Sequence, residues 1–145
     1  MYKNLIIWSG GVKIFYFLGA LKYLDEHNLL KNINTFIGSW CGSVISALLI
    51  LGYSIDEINN LLLESEDDFK NMYNKFSIFF LLNHFSLHNN YKIIKWIMKI
   101  IKKKTDNVNI TLKEIYEKYN KKLYISVFNI NKWEIEYLNI NDNPN

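Results

Sequence analysis

Two strand-like runs, each followed by a glycine turn and a helical pattern, occupy the first fifty residues. Residues 4–8 are apolar and end at a glycine pair, which predicts a buried strand that enters a tight turn. Apolar residues recur at helical spacing over residues 15–29, and residues 35–37 predict a second strand. An apolar helix over residues 44–51 follows, with a glycine at its C-terminal end. This order predicts an α/β fold with a parallel sheet.

The remaining chain predicts further helices and a strand pair. The short apolar stretch Phe76–Leu82 is expected to be a buried connector. The other predicted elements are a helix opened by the Ser54–Glu57 capping box and reaching about Glu64, an amphipathic helix over Tyr91–Lys104, a helix capped by Thr111 with Glu114, and strands over Lys122–Asn129 and Trp133–Asn139. No linker, repeat or domain boundary interrupts this order, so one domain is expected over residues 1–145.

The composition is that of a folded domain without strong charge. Half of the 145 residues are hydrophobic, which argues against disorder, and the net charge of +3 is too small to indicate nucleic-acid binding. The chain has 21 Ile, 20 Asn and 17 Lys but no Arg, so single Lys and Asn residues carry little information. Cys41 is the only cysteine, which excludes an internal disulfide and a cysteine-rich zinc site. No apolar run is long enough to span a bilayer.

The helix over Tyr91–Lys104 has two readings. Five lysines share one face, Lys92, Lys95, Lys99, Lys102 and Lys103, and isoleucines line the other. One reading is attraction to anionic lipid head groups, and the other is a helix packed on the core with a solvated lysine face. We expect the second, with the isoleucine face buried. Exposure of Trp96 and Ile97 would instead favour membrane docking.

The chain has three histidines, of which His84 and His88 are expected to be a surface or partly buried pair and not a metal site. His84 and His88 lie four residues apart and could share a helix face, but no third ligand has a suitable spacing, and His27 is distant in sequence. We therefore expect no metal.

The two glycine turns could each hold an anion at a helix N-terminus, but neither matches a phosphate-binding fingerprint. The second turn, Gly38-Ser39-Trp40-Cys41-Gly42, has the outline of a nucleophile elbow, G-x-S-x-G, in which flanking glycines permit a strained strand-to-helix turn. Its central residue is Trp40 in place of Ser.

At these turns the chain resembles the patatin-like phospholipases. Their first loop, G-G-G-x-[KR]-G, corresponds to Ser9–Ile14, and the following G-A-L is present as Gly19–Leu21. Their elbow corresponds to Gly38–Gly42, and the similarity continues through the lysine-rich helix to the strand pair Leu123–Leu138.

The resemblance implies a three-layer α/β sandwich with a mainly parallel sheet, incomplete at its C-terminus, and an acyl hydrolase of phospholipids or other lipid esters. In such enzymes a Ser attacks the ester, an Asp acts as the base, and backbone N–H groups of the first loop hold the oxyanion, without metal or cofactor. Here that loop is Gly10, Gly11, Val12 and Lys13.

Three departures bear on activity. Trp40 stands at the nucleophile position, and an indole cannot attack an ester. No Asp is followed by Gly, so the family's catalytic Asp motif is not retained. Ser9 and Ile14 replace the outer glycines of the first loop, and Ile14 would be strained if that position required a positive φ.

Other nucleophiles are not favoured. Cys41 at a helix N-terminus would have a lowered thiol pKa, but a shift of one residue points it away from the cleft, and a buried inert thiol is the usual fate of a lone cysteine. Ser39 and Ser43 are better suited to helix capping.

We therefore expect a cytoplasmic member of a lipid-hydrolase family, with any membrane contact peripheral and with impaired catalysis. Either the chain is a damaged or incomplete copy, or it is a pseudoenzyme that binds lipid or a partner protein. A more remote alternative is an anion- or nucleotide-binding α/β module. In the first two cases, the two glycine turns should meet at the C-terminal edge of adjacent parallel strands.

Overall fold

The computed structural model describes residues 2–65 and 91–143 and contains a four-stranded mixed sheet. The strands are β1 (Asn4–Ile7), β2 (Thr35–Ser39), β3 (Lys122–Asn129) and β4 (Glu134–Leu138), and they lie in that order. β1, β2 and β3 are parallel, whereas β4 is antiparallel to β3. The predicted α/β class with a mainly parallel sheet is confirmed.

Helices precede or follow each of the parallel strands. They are α1 (Ile14–Glu26), α2 (Cys41–Ile50), α3 (Ile55–Glu64), α4 (Tyr91–Thr105) and α5 (Leu112–Tyr119), and a short 3₁₀ helix, Gly11–Lys13, leads into α1. Across residues 2–65 and 91–143, no helix has both the length and the apolar character needed to cross a membrane. The predicted connector Phe76–Leu82 and the pair His84 and His88 lie outside the described residues.

The chain divides into two compact units. One comprises Met1–Asn59 with Asn109–Asn145 and holds the sheet, α1, α2 and α5. The other comprises Asn60–Val108 and holds α4, while α3 begins in the first unit and ends in the second. The assignment of residues 1–145 to one domain stays a prediction.

Local sequence signals determine several helix ends. Ser54 and Glu57 exchange the two hydrogen bonds of a capping box at the start of α3, and Thr111 and Glu114 do the same at α5, as predicted.

The helix predicted over residues 15–29 ends earlier, at Glu26. Asn28 takes a left-handed conformation with φ 58°, and the Leu29 N–H bonds back to a carbonyl in the last turn, which closes the helix in a Schellman motif.

One face of the sheet carries the core of its unit. The buried cluster consists of Ile33, Phe36, Ile50, Ile115 and Leu123. The opposite face carries large apolar side chains that are each more than half exposed: Ile6, Trp8, Phe128, Ile135 and Tyr137. Because successive strand residues point to opposite faces, Phe36 and Leu123 face the core while the residues next to them in β2 and β3 face the other side.

Helix α4 is amphipathic, as predicted. The five lysines predicted to share a face are exposed, Lys92, Lys95, Lys99, Lys102 and Lys103. On the isoleucine face, Ile100 is buried, while Ile93, Trp96 and Ile97 are half-buried. The lysine face is confirmed, and the burial of the isoleucine face is complete only at Ile100.

Candidate active site

The two glycine turns leave neighbouring strands at the same edge of the sheet. Ile7, the last residue of β1, is in register with Gly38 of β2. The strands are parallel, so the loop after β1 and the turn after β2 emerge side by side, as expected for the carboxyl ends of an open α/β sheet. The backbone N–H of Gly10 donates a hydrogen bond to the Cys41 thiol sulfur at 3.4 Å, which joins the two turns directly.

The second turn has the backbone of a strained elbow. Trp40 lies between β2 and α2 with φ 50° and ψ −116°, a conformation that residues with a Cβ rarely adopt. Its carbonyl accepts hydrogen bonds from the N–H and the hydroxyl of Ser43, at 3.0 and 2.5 Å. The side chain is 54% exposed, so the turn presents the indole outward. The turn therefore has the backbone conformation that, in a nucleophile elbow, lifts the central side chain into a cleft. Here that central side chain is the indole of Trp40.

Steric contacts explain why glycine flanks this turn on both sides. A Cβ on Gly38 would overlap the backbone of Ser43, where α2 folds back over the strand. A Cβ on Gly42 would overlap the carbonyl oxygen of Ile7 at the end of β1. The sharp strand-to-helix turn and the close approach of α2 to β1 therefore both require glycine, and this is the physical origin of the G-x-x-x-G spacing.

The first glycine loop is compact and free of strain at its substituted positions. Gly11 has φ 52°, and the Lys13 N–H bonds to the Gly10 carbonyl at 2.9 Å, which closes the short 3₁₀ helix through Val12. Ile14 is helical, with φ −52° and ψ −34°. Ile14 therefore does not have the positive φ that would strain a β-branched residue, and Ser9 also lacks a positive φ.

Of the remaining candidate nucleophiles, Cys41 and Ser43 are engaged in other contacts, whereas Ser39 is the last residue of β2 and does not cap a helix as expected. Cys41 is the first residue of α2, and its half-buried thiol accepts the Gly10 hydrogen bond. Ser43 caps the turn through the Trp40 carbonyl, in agreement with the structural role expected for it. His27 contacts its own helix: its ring stacks on Tyr23, and its Nδ1 lies 2.8 Å from the Tyr23 carbonyl. Within the described part of the chain, no three metal-binding side chains cluster.

A cavity of about 310 Å³ opens beside the elbow on the exposed face of the sheet. It is lined by residues of all four strands and the ends of β1 and β2: Ile6, Ile7, Trp8, Ile37, Gly38, Ser39, Tyr124, Ser126 and Tyr137. Ser39 and Ser126 lie opposite each other on β2 and β3, so their hydroxyls form a polar position in an otherwise apolar wall. Sequence reasoning found Gly38 and Ser39 but not the residues of β3 and β4. The alternation of residues between the two faces of β3 and β4 was the sequence signal that could have identified them.

Among the residues that the structure describes, no carboxylate lines this cavity. Two acids of the C-terminal part of the chain have other partners. Glu136 of β4 accepts hydrogen bonds from Lys132 at 2.7 Å and from Asn129 at 3.0 Å, and the Lys132 contact, followed by that of Asn129, lowers the pKa of the Glu136 carboxyl. Asp142 accepts a hydrogen bond from Asn139 at 2.8 Å. The described part of the cavity wall therefore contains hydroxyls and aromatic rings but no side chain suited to act as a general base at neutral pH.

The sequence of this chain is similar to those of several known proteins. A sequence model described as patatin-like phospholipase matches residues 5–143. A probable lipid hydrolase of Invertebrate iridescent virus 6 is 34% identical over 131 residues, which are 90% of this chain and 44% of that protein. An uncharacterised protein of Acanthamoeba polyphaga mimivirus is 36% identical over 130 residues, 89% of this chain and 42% of that protein.

A shorter match is found in a bacterium. A cUMP-AMP-activated phospholipase of Escherichia coli is 38% identical over 65 residues, which are 43% of this chain and 20% of that protein. The chain thus spans less than half the length of each of these relatives.

Proposed function

The chain belongs to the patatin-like phospholipase family, a family of lipid hydrolases, and from that membership we propose that its cleft binds lipid esters without hydrolysing them. The observation that carries the proposal is the position of Trp40. The strained backbone of the elbow is formed, yet the side chain that it presents has no nucleophilic atom, because an indole N–H can only donate a hydrogen bond.

The surroundings of Trp40 also favour the loss of catalysis. An ester hydrolase needs a base to take the proton of its nucleophile, and of the described residues that line the cavity none carries a carboxylate or an imidazole. The Gly10 N–H, one of the expected oxyanion donors, is directed to the Cys41 sulfur. Removal of one such donor costs about 3–4 kcal/mol of transition-state stabilisation in enzymes that use them.

The chemistry of the cavity favours a lipid ester over a nucleotide as its ligand. Over the residues that the structure describes, its wall is apolar apart from the hydroxyls of Ser39, Ser126 and the two tyrosines, and it contains no lysine. Such a wall suits an acyl chain with an ester group near the paired serines, whereas a phosphate would need cationic or backbone N–H partners. We also propose a cytoplasmic location with peripheral membrane contact.

Two measurements on the whole chain test the proposal. Calorimetric titration with dihexanoylphosphatidylcholine, below its micelle concentration, should show binding that Ser126→Leu weakens at least tenfold by filling the cavity. The matched control Asn131→Leu, in the exposed turn of the same hairpin, should bind like the wild type. Absence of binding by the wild type would contradict the ligand assignment. Phospholipid turnover by the wild type above the uncatalysed rate would contradict the loss of catalysis.

A further inference from the structure

Helix α4 carries a high density of positive charge. Its fifteen residues contain six lysines and no acidic residue: Lys92, Lys95, Lys99, Lys102, Lys103 and Lys104. The first five are exposed. Among the described residues, no ion pair involves Lys99, Lys102 or Lys103. Exposed lysines attract an anionic partner.

The same helix exposes apolar side chains next to the lysines. Ile94 is 53% exposed and Met98 is 38% exposed. At about 100° per residue these two side chains lie roughly 40° apart around the helix axis, and Lys102 follows Met98 at a similar interval. They lie outside the half-buried face centred on Ile100. The exposed side of α4 is therefore an apolar strip bordered by lysines.

The ring of Tyr91 continues this strip toward the start of the helix. It is 58% exposed, and the Lys95 ammonium lies 4.5 Å from its centroid. An aromatic ring with a cation above it suits the boundary between lipid head groups and acyl chains, where tyrosine is enriched in membrane proteins. We name the surface formed by Tyr91, Ile94, Met98 and the five exposed lysines the basic strip.

We propose that the basic strip docks on the surface of an anionic phospholipid bilayer, with its lysines at the head groups and with Ile94 and Met98 inserted at the acyl boundary. The docking rests on the lipid-directed function proposed above, for which it supplies the surface that meets the membrane. Interfacial helices bind through this combination of a lysine-rich polar face and an inserted apolar strip. A nucleic acid would match the charge but would leave the apolar strip in water.

Co-sedimentation with vesicles of phosphatidylcholine containing 30% phosphatidylserine tests the charge. The wild type should bind these vesicles, and binding should fall at least tenfold on pure phosphatidylcholine or in 0.5 M salt. Neutralising three lysines in Lys95→Gln/Lys99→Gln/Lys102→Gln should weaken partitioning about a hundredfold. The matched control, Lys31→Gln/Lys113→Gln/Lys118→Gln, removes the same charge from exposed positions elsewhere and should retain most of the binding. Equal losses in both variants would overturn the docking surface.

The apolar part of the strip has its own test. Ile94→Ser/Met98→Ser should weaken vesicle binding at least tenfold, whereas Ile130→Ser, at a side chain 76% exposed in the hairpin turn, should not. Each variant should keep the wild-type circular dichroism spectrum. If Ile94→Ser/Met98→Ser binds the vesicles as the wild type does, the proposal is wrong. Binding to a 20-mer duplex DNA as tight as to the vesicles would likewise assign the strip to nucleic acid.

Failure of docking can be told apart from failure of the proposed function. Binding of monomeric dihexanoylphosphatidylcholine needs no bilayer and does not involve the basic strip. A wild-type chain that binds this monomer but not the anionic vesicles would overturn the docking alone. A chain that binds the vesicles through the basic strip but not the monomer would sustain the docking and overturn the proposed ligand of the cavity.

Discussion

The backbone N–H of Gly10 donates a hydrogen bond to the sulfur of Cys41, 31 residues further along the chain. This contact joins the loop after β1 to the first turn of α2. It holds the two glycine turns together at one edge of the sheet, and it engages the N–H group of Gly10, which the proposed hydrolase site would need for an oxyanion. The Gly10 N–H and the Cys41 thiol are thus engaged with each other within the protein.

Gly42 and Gly19 should respond in opposite ways to alanine. A Cβ at Gly42 meets the Ile7 carbonyl oxygen, so Gly42→Ala should reduce the free energy of unfolding by about 1–3 kcal/mol. Gly19 lies within α1 with open space around it, and Gly19→Ala should increase that free energy by about 1 kcal/mol. Urea titration measures both. A Gly42→Ala chain as stable as the wild type would contradict the close approach of α2 to β1.

Backbone strain at Trp40 should reverse the usual ranking of glycine and alanine. Both Trp40→Gly and Trp40→Ala lose the indole, but only alanine keeps a Cβ at φ 50°. We expect the glycine variant to be more stable by about 1–3 kcal/mol.

Tyr16 provides the matched control for this comparison. It is exposed within α1, where Tyr16→Ala should be more stable than Tyr16→Gly by about 1 kcal/mol. Thermal unfolding of the four variants gives the comparison. The same ranking at both positions would show that Trp40 is not strained.

Glu136 should contribute to the acid sensitivity of the fold. Hydrogen bonds from Lys132 and Asn129 hold the pKa of its carboxyl below the ordinary value of 4.5. The ionised form is therefore favoured in the folded state. The resulting stabilisation is present above pH 4.5 and is lost as the pH falls through the lower folded pKa.

Replacement of this carboxylate tests the effect. Glu136→Gln should lower stability at pH 7 slightly and should flatten its decline below pH 4.5, with a small amplitude because the group is exposed to solvent. Glu117→Gln is the control, because Glu117 lies 3.9 Å from the Lys113 ammonium, which is too far for the kind of hydrogen bond that Glu136 accepts. Urea titrations between pH 3 and pH 7 give the free energy of unfolding of each variant. If this free energy declined equally with falling pH in both variants, the role assigned to Glu136 would be wrong.

The exposed face of the sheet should make the isolated chain self-associate. Ile6 and Ile135 are 64% and 60% exposed on this face, which also exposes the large apolar side chains of Trp8, Phe128 and Tyr137. Ile6→Thr/Ile135→Thr should shift the sedimentation coefficient toward that of a monomer and reduce the binding of an apolar dye. Ile130→Thr, in the hairpin turn, should do neither. A wild-type chain that stays monomeric at high concentration would contradict this expectation.

Local signals allowed much of the fold to be predicted from the sequence, whereas the site depends on contacts between distant segments. The capping boxes at Ser54 and Thr111 involve hydrogen bonds between residues three apart, so their positions were predictable. Helix α2 begins at Cys41 rather than at Val44, because Gly42 allows close approach to β1 and does not break the helix. The Gly10–Cys41 bond has no signature in local sequence, whereas the flanking glycines Gly38 and Gly42 did indicate the strained turn at Trp40.

Ester hydrolysis by the wild type and by Trp40→Ser is the most direct test of the central claim, that the hydrolase scaffold is retained without catalysis. Neither chain should release nitrophenolate from a short-chain nitrophenyl ester above the uncatalysed rate. Residues that act as one catalytic unit lose nearly all activity when any member is missing, and a serine at position 40 would still lack a base. Turnover in Trp40→Ser alone would contradict the claim by revealing a base. Wild-type turnover that thiol alkylation abolishes would contradict it by assigning the attack to Cys41.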